Sequence, residues 1–133
     1  MQTAGDYLIR AGVPLSDVEE RLPHVDPGTV AVRSAGRAFR ATWARGIVAV
    51  AMPWAIYVHP ETLARPVDEL ARLIVHELVH IEQWRREGGV GHLRQYVGDY
   101  LQGRRSRKGH WDSYRDIGLE VEARRIADEI IDR

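Results

Sequence analysis

Pro66-Val67-Asp68-Glu69-Leu70-Ala71-Arg72-Leu73-Ile74-Val75-His76-Glu77-Leu78-Val79-His80-Ile81-Glu82-Gln83-Trp84 reads as the strongest helix of the chain. Leu70, Leu73, Ile74, Leu78, Ile81 and Trp84 recur at three- and four-residue steps, the period of one buried helical face. Pro66 suits a first turn, Asp68 and Glu69 place negative charge at the positive end of the helix dipole, and Gly88-Gly89 stops the run. Within it, His76 and His80 stand four residues apart, about one turn, so both imidazoles project from the same side. From there they can reach one tetrahedral ion at about 2.0–2.1 Å. Glu77 lies roughly 100° around the helix from His76, close enough to meet a metal-bound water without being a ligand. Zinc lowers the pKa of such a water toward roughly 7, and a nearby carboxylate can take its proton during attack on a carbonyl. The spacing points to a metal helix.

Two histidines leave a zinc site incomplete. The chain has no cysteine, which removes thiolate ligands and disulfides together. A glycine three residues and a histidine six residues after the second histidine would mark a metzincin, but Gln83 and Arg86 stand there. The remaining donors are downstream carboxylates, His92 and His110. Helical periodicity favours Glu120. Its neighbours at three and seven residues are Ala123 and Ala127, small enough to let that helix approach the metal helix closely. Glu122 shares a face with Arg125 and Glu129 and reads as more solvated.

Working outward, the first segment reads as two short helices, with Ser16-Asp17-Val18-Glu19 spaced as a capping box and Pro23, Pro27 and Gly28 ending the region. From Thr29 to His59, Val30, Val32, Phe39, Trp43, Ile47, Val48, Val50, Ile56 and Val58 come in short runs broken by glycine and proline. They suggest three or four strands in an antiparallel meander. Downstream, a helix is expected over His92 to Leu101, an exposed loop over Gly103 to Gly109, and a last helix from about Leu119, with Ala123, Ile126, Ala127 and Ile130 facing inward. The expected class is α+β, one domain over 1–133: an N-terminal helical cap (1–28), a sheet (29–59) and metal-binding helices (60–133).

The run His76 to Trp84, then Tyr96 and Tyr100-Leu101, then Tyr114-Arg115 and Leu119-Glu120-Val121-Glu122-Ala123, resembles small bacterial zincins. These belong with the gluzincins, whose third zinc ligand is a downstream glutamate, and the resemblance is to the minimal members called minigluzincins. It covers about Pro60 to Ala127. It implies zinc held by His76, His80 and Glu120, with Glu77 as general base for hydrolysis of a peptide or protein substrate. The alanine three residues after the ligand glutamate in many gluzincins is matched by Ala123. Two features differ: Arg124 stands where membrane-integral relatives carry an aspartate, and Ile117-Gly118 where small members often carry Asn-Pro.

An amide hydrolase also needs a donor to the oxyanion. Tyr114 and His110 precede the glutamate helix and are candidates, although an aromatic packing the helix junction and a solvated loop histidine explain them as simply. His24, His59 and His92 read as surface or half-buried, and Trp84 as packing. Nineteen basic residues balance nineteen acidic ones, so no global charge points to nucleic acid or an anionic membrane. Arg104 to Lys108 is a dense basic run without interleaved aromatics, read as a solvated loop rather than a phosphate contact. No signal peptide or membrane span is visible, and Gly46 to Val58 is too short to cross a bilayer, so the expected location is the cytoplasm. The first residues read as a cap on the sheet or a propeptide-like cover. An edge strand at Ala55 to Val58 is expected to receive substrate. The alternative to a peptidase is a zinc-binding module of the same fold with a binding or regulatory role.

Overall fold

Pro66 does what its ring and its position allow. Its carbonyl accepts from the amides of Glu69 and Leu70 at 3.1 and 3.2 Å, and a 20-residue helix, Val67–Arg86, runs on from it. In this computed structural model residues 2–43, 46–86 and 110–132 are described, with the backbone alone for 110–119. The elements are α1 (Ala4–Arg10), α2 (Leu15–Arg21), β1 (Ala31–Ser34), α3 (Arg37–Arg40), β2 (Ala49–Met52), β3 (Ala55–Val58), α4 (Pro60–Leu63), α5 (Val67–Arg86) and α6 (His110–Ile131). The class is α+β.

Helix α5 is the axis of the molecule, packed against α6, α1 and β2. Leu70, Ile74, Leu78 and Ile81 on one side and Val75 and Val79 on another are all buried, a wider apolar surface than an ordinary amphipathic stripe provides. From α6, Ala123, Ile126, Ala127 and Ile130 enter the same core, and from the first thirty residues so do Ala4, Leu8, Val18, Leu22, Val25 and Val30. The N-terminal segment is therefore part of the core. Helix α6 begins at His110, nine residues before the expected start at Leu119, and it takes Gly118 into its interior. A glycine in mid-helix lowers propensity by about 1 kcal/mol, too little by itself to end a helix of this length. The expected helix over His92 to Leu101, the stop at Gly88-Gly89 and the loop over Gly103 to Gly109 lie outside the described residues.

Several local expectations are corrected. The capping box forms at Thr3, whose hydroxyl accepts from the Asp6 amide while Asp6 accepts from the Thr3 amide at 2.9 Å. Ser16 instead lies inside α2, which starts after Pro14 without a side-chain cap. Phe39 and Trp43 are not in a strand. Arg37–Arg40 is a short helix that brings both rings against Tyr57, Val50 and Met52 on one face of the sheet. The opposite face presents Val32, Ala51, Ile56 and Val58 to the main core, the alternation expected of a sheet covered on both sides.

Among the described residues the sheet has three strands in the order β1-β3-β2, and it is mixed rather than an antiparallel meander. β1 runs parallel to β3, with Val32 opposite Ile56, and β2 runs antiparallel to β3, with Ala51 opposite Ile56. The connection through α3 carries the chain past the central position, which β3 then fills after a tight turn at Pro53-Trp54. Ala55, Ile56 and Val58 are fully buried, so the strand with the most apolar backbone neighbourhood takes the middle place. Gln2 to Ala4 covers the outer edge of β1 through the bonds Val32 N–H to Gln2 C=O at 3.0 Å and Ala4 N–H to Val30 C=O at 2.8 Å. Among the described residues, that leaves β2 with one edge unpaired. The expected edge strand, Ala55 to Val58, is hydrogen-bonded on both sides and cannot add another strand.

Gly46, at φ +89°, turns the chain into the segment leading to β2. No described atom lies within 4 Å of where its Cβ would be, so Gly46→Ala is expected to destabilise the fold through backbone strain, by about 1 kcal/mol in chemical denaturation. No helix among the described residues is long and apolar enough to cross a membrane.

Candidate metal centre

His76 and His80 project from neighbouring turns of α5, their ring centroids 5.0 Å apart. Helix α6 lies alongside, and its buried Ala123 lets the preceding turn deliver Glu120 to both rings. Glu120 Oε2 is 3.1 Å from His76 Nε2, and Glu120 Oε1 is 2.8 Å from His80 Nε2. One ligand atom from each of the three residues lies within 4.8 Å of the other two. Two imidazole nitrogens and a carboxylate oxygen form a donor set that zinc accepts.

The polarity of the site suits a cation. His80 Nδ1 meets Gln83 Oε1 at 2.8 Å, and an amide oxygen only accepts, so Nδ1 carries the proton. Nε2 then points its lone pair, or a second proton, at the Glu120 carboxylate. Burial opposes charge on the His80 ring. The Glu120 hydrogen bond, the charges of Glu77 and Glu120 and the Gln83 bond outweigh it and raise the ring's pKa. Glu120 is held well below the usual carboxylate range by hydrogen bonds from His76 and His80, although its side chain is half exposed. The geometry thus favours a positive charge among these three groups, and a divalent ion meets the same demand.

Glu77 is buried, and together with His76 and Glu120 it lines an open cleft of about 890 Å³. Burial raises its pKa above the ordinary value, partly opposed by the two histidines and reinforced by the Glu120 charge. One wall of the cleft is the segment Gly46, Ile47, Val48 and Ala49 leading into β2, and the other comes from α5 and α6, including Leu73, Arg72 and Arg124. Arg72 is anchored by ion pairs to Asp128 and to Asp132, the latter at 2.7 Å. The described part of the N-terminal segment lends no residue to this cleft, so nothing there acts as a cover.

The two carboxylates weighed from the sequence go to different tasks. Glu120 joins the histidines. Glu122 accepts from Gln83 Nε2 at 3.2 Å and from Arg86 Nη2 at 2.9 Å, and the Arg86 bond holds its carboxyl below the usual range. It is the less exposed of the two, 31% against 51% for the side chains, so the expected greater solvation of Glu122 is reversed. The Tyr114, His110 and His92 side chains and the basic run at 104–108 lie outside the described residues. His59 accepts from the Glu61 amide at 3.1 Å and caps α4, a structural task.

Sequence reading missed Glu82 and Gln83, both buried. Glu82 accepts from the His24 amide at 3.2 Å and meets its Nδ1 at 2.9 Å, while Arg85 donates to the carbonyls of His24 and Pro53 at 2.6 and 3.0 Å. The end of α5 thereby fastens the N-terminal segment and the β2–β3 turn. Gln83 stands three residues after His80, a spacing at which helical side chains meet, and that was the available signal. Comparison with protein-family models, with curated proteins and with solved structures finds no match to this chain, so its assignment stands on the site alone.

Proposed function

We propose that this chain is a zinc-dependent metallopeptidase of the zincin type, with His76, His80 and Glu120 as ligands in the gluzincin manner and Glu77 as general base. The observation that carries the reading is the convergence of those three donors beside a buried glutamate at the wall of an open cleft. A zinc ion there would supply a Lewis acid and a water acidic enough to react near neutral pH. Glu77 takes a proton from the attacking water and returns it to the leaving amine nitrogen as the carbon–nitrogen bond breaks. Its raised pKa brings it nearer the value that makes a carboxylate effective in both directions.

The neighbouring edge of β2, which pairs with no other strand among the described residues, suits an extended peptide, which can add as a strand and carry its scissile carbonyl along the cleft. Rim residues of both signs, Arg65, Arg124, Asp68 and Glu69, set no single charge preference. The test is metal analysis of the purified full chain together with a broad peptide library. One zinc per chain and cleavage that a chelator stops and zinc restores are expected. A chain that takes up no zinc loses the site, and one that binds zinc yet leaves every peptide intact is a binding module.

A further inference from the structure

Gln83 is 1% exposed, and an amide so deeply placed is tolerated only when its polar atoms are bonded. Its nitrogen faces Glu122 Oε1 at 3.2 Å, and a carboxylate oxygen only accepts, so the orientation of the amide is dictated from that side. The oxygen is thereby turned to His80 Nδ1 at 2.8 Å. Arg86 Nη2 holds Glu122 from beyond at 2.9 Å. The chain Arg86, Glu122, Gln83, His80 leaves α5, touches α6 two residues past Glu120, and returns to the ring that faces Glu120.

We infer that Gln83, backed by Glu122 and Arg86, is a positioning residue for the metal site. Its oxygen keeps the proton on His80 Nδ1, so that Nε2 remains the ligand atom. Its nitrogen ties the turn of α6 that carries Glu120 to α5, so one side chain sets both the tautomer of one ligand and the placement of another. The negative charge of Glu122, passed through the amide dipole, also makes the imidazole a better donor. Gln83 and Arg86 occupy the two places where a metzincin would carry a glycine and its third histidine. The inference rests on the metal-binding reading above.

The test is zinc affinity of the full chain by chelator competition, with long-range proton–nitrogen NMR of the His80 ring in the zinc-loaded protein. Gln83→Leu is expected to weaken zinc binding by about 10–100-fold and to remove the protected Nδ1–H resonance. Glu122→Leu, at a partly exposed position, is expected to act in the same direction and covers the case in which the buried substitution prevents folding. Gln83→Glu combined with Glu122→Gln exchanges the carboxylate and the amide, keeping an acceptor opposite His80 Nδ1–H and one hydrogen bond, now reversed, between the two side chains, while the Arg86 bond to the shared oxygen is given up. It is expected to restore near-native affinity and the resonance, which a merely space-filling role for Gln83 would not require. Native affinity and an unchanged Nδ1–H signal in Gln83→Leu or Glu122→Leu would overturn the relay and leave the metal site standing. A native chain that binds no zinc, with all variants alike, overturns the metal reading itself.

Discussion

Glu77→Gln is expected to leave zinc bound and to slow peptide cleavage by about 10²–10⁴-fold, the usual contribution of a positioned general base. The amide has nearly the shape of the carboxylate but cannot take a proton from water. Glu77 is buried, so a substitution that changed its volume would confound chemistry with packing, and glutamine avoids that. The loss should fall on kcat rather than KM, because the proton moves in the transition state and not on binding. Zinc content by metal analysis should stay at the native ratio. Because burial raises the carboxyl of Glu77, neutralising it relieves a desolvated charge, and the zinc-free variant should be no less stable than the parent. Cleavage by Glu77→Gln at the native rate, with zinc in place, would remove Glu77 from the mechanism.

Glu120→Ala is expected to abolish most of the stabilisation that zinc confers. A ligand that binds only the folded chain adds about 2.7 kcal/mol when its free concentration is one hundred times Kd. For a domain of this size that corresponds to a rise in Tm of roughly 10 °C. If losing the carboxylate raises Kd a hundredfold, the same zinc concentration adds only about 0.4 kcal/mol. The Glu120 side chain is 51% exposed and lies at the open side of the cleft, so its removal leaves no cavity and the fold should persist. Thermal melts with and without zinc, for the parent and the variant, check this. A variant that gains as much from zinc as the parent would show that the third ligand lies elsewhere.

The helix that carries His76 and His80 was legible because its information is local. A helical period places His76 and His80 on one face whatever surrounds them, and Pro66, Asp68 and Glu69 mark its start in the letters themselves. The inward face of α6 was legible for the same reason, and Ala123, Ile126, Ala127 and Ile130 are buried as the period requires. Choosing Glu120 over Glu122 followed from the alanines beside it, although the solvation argument against Glu122 was mistaken. A buried amide on another helix gives Glu122 its partner, and no pattern within α6 could announce that.

By itself the sequence determined a helix that presents two imidazoles and a carboxylate in a fixed relation, and a second helix whose small residues allow close approach. The order of strands was beyond it. β2 and β3 are both short and apolar, and only the path of the chain through α3 puts β3 in the centre and β2, beside the cleft, at the edge of the described sheet. The tertiary structure also decided what the polar residues of α5 do. Gln83 and Glu82 look alike in a helical repeat, yet one orients His80 toward Glu120 and the other fastens His24. The reason is that a hydrogen bond depends on which atoms packing brings together, whereas the histidine pair depends only on the pitch of one helix.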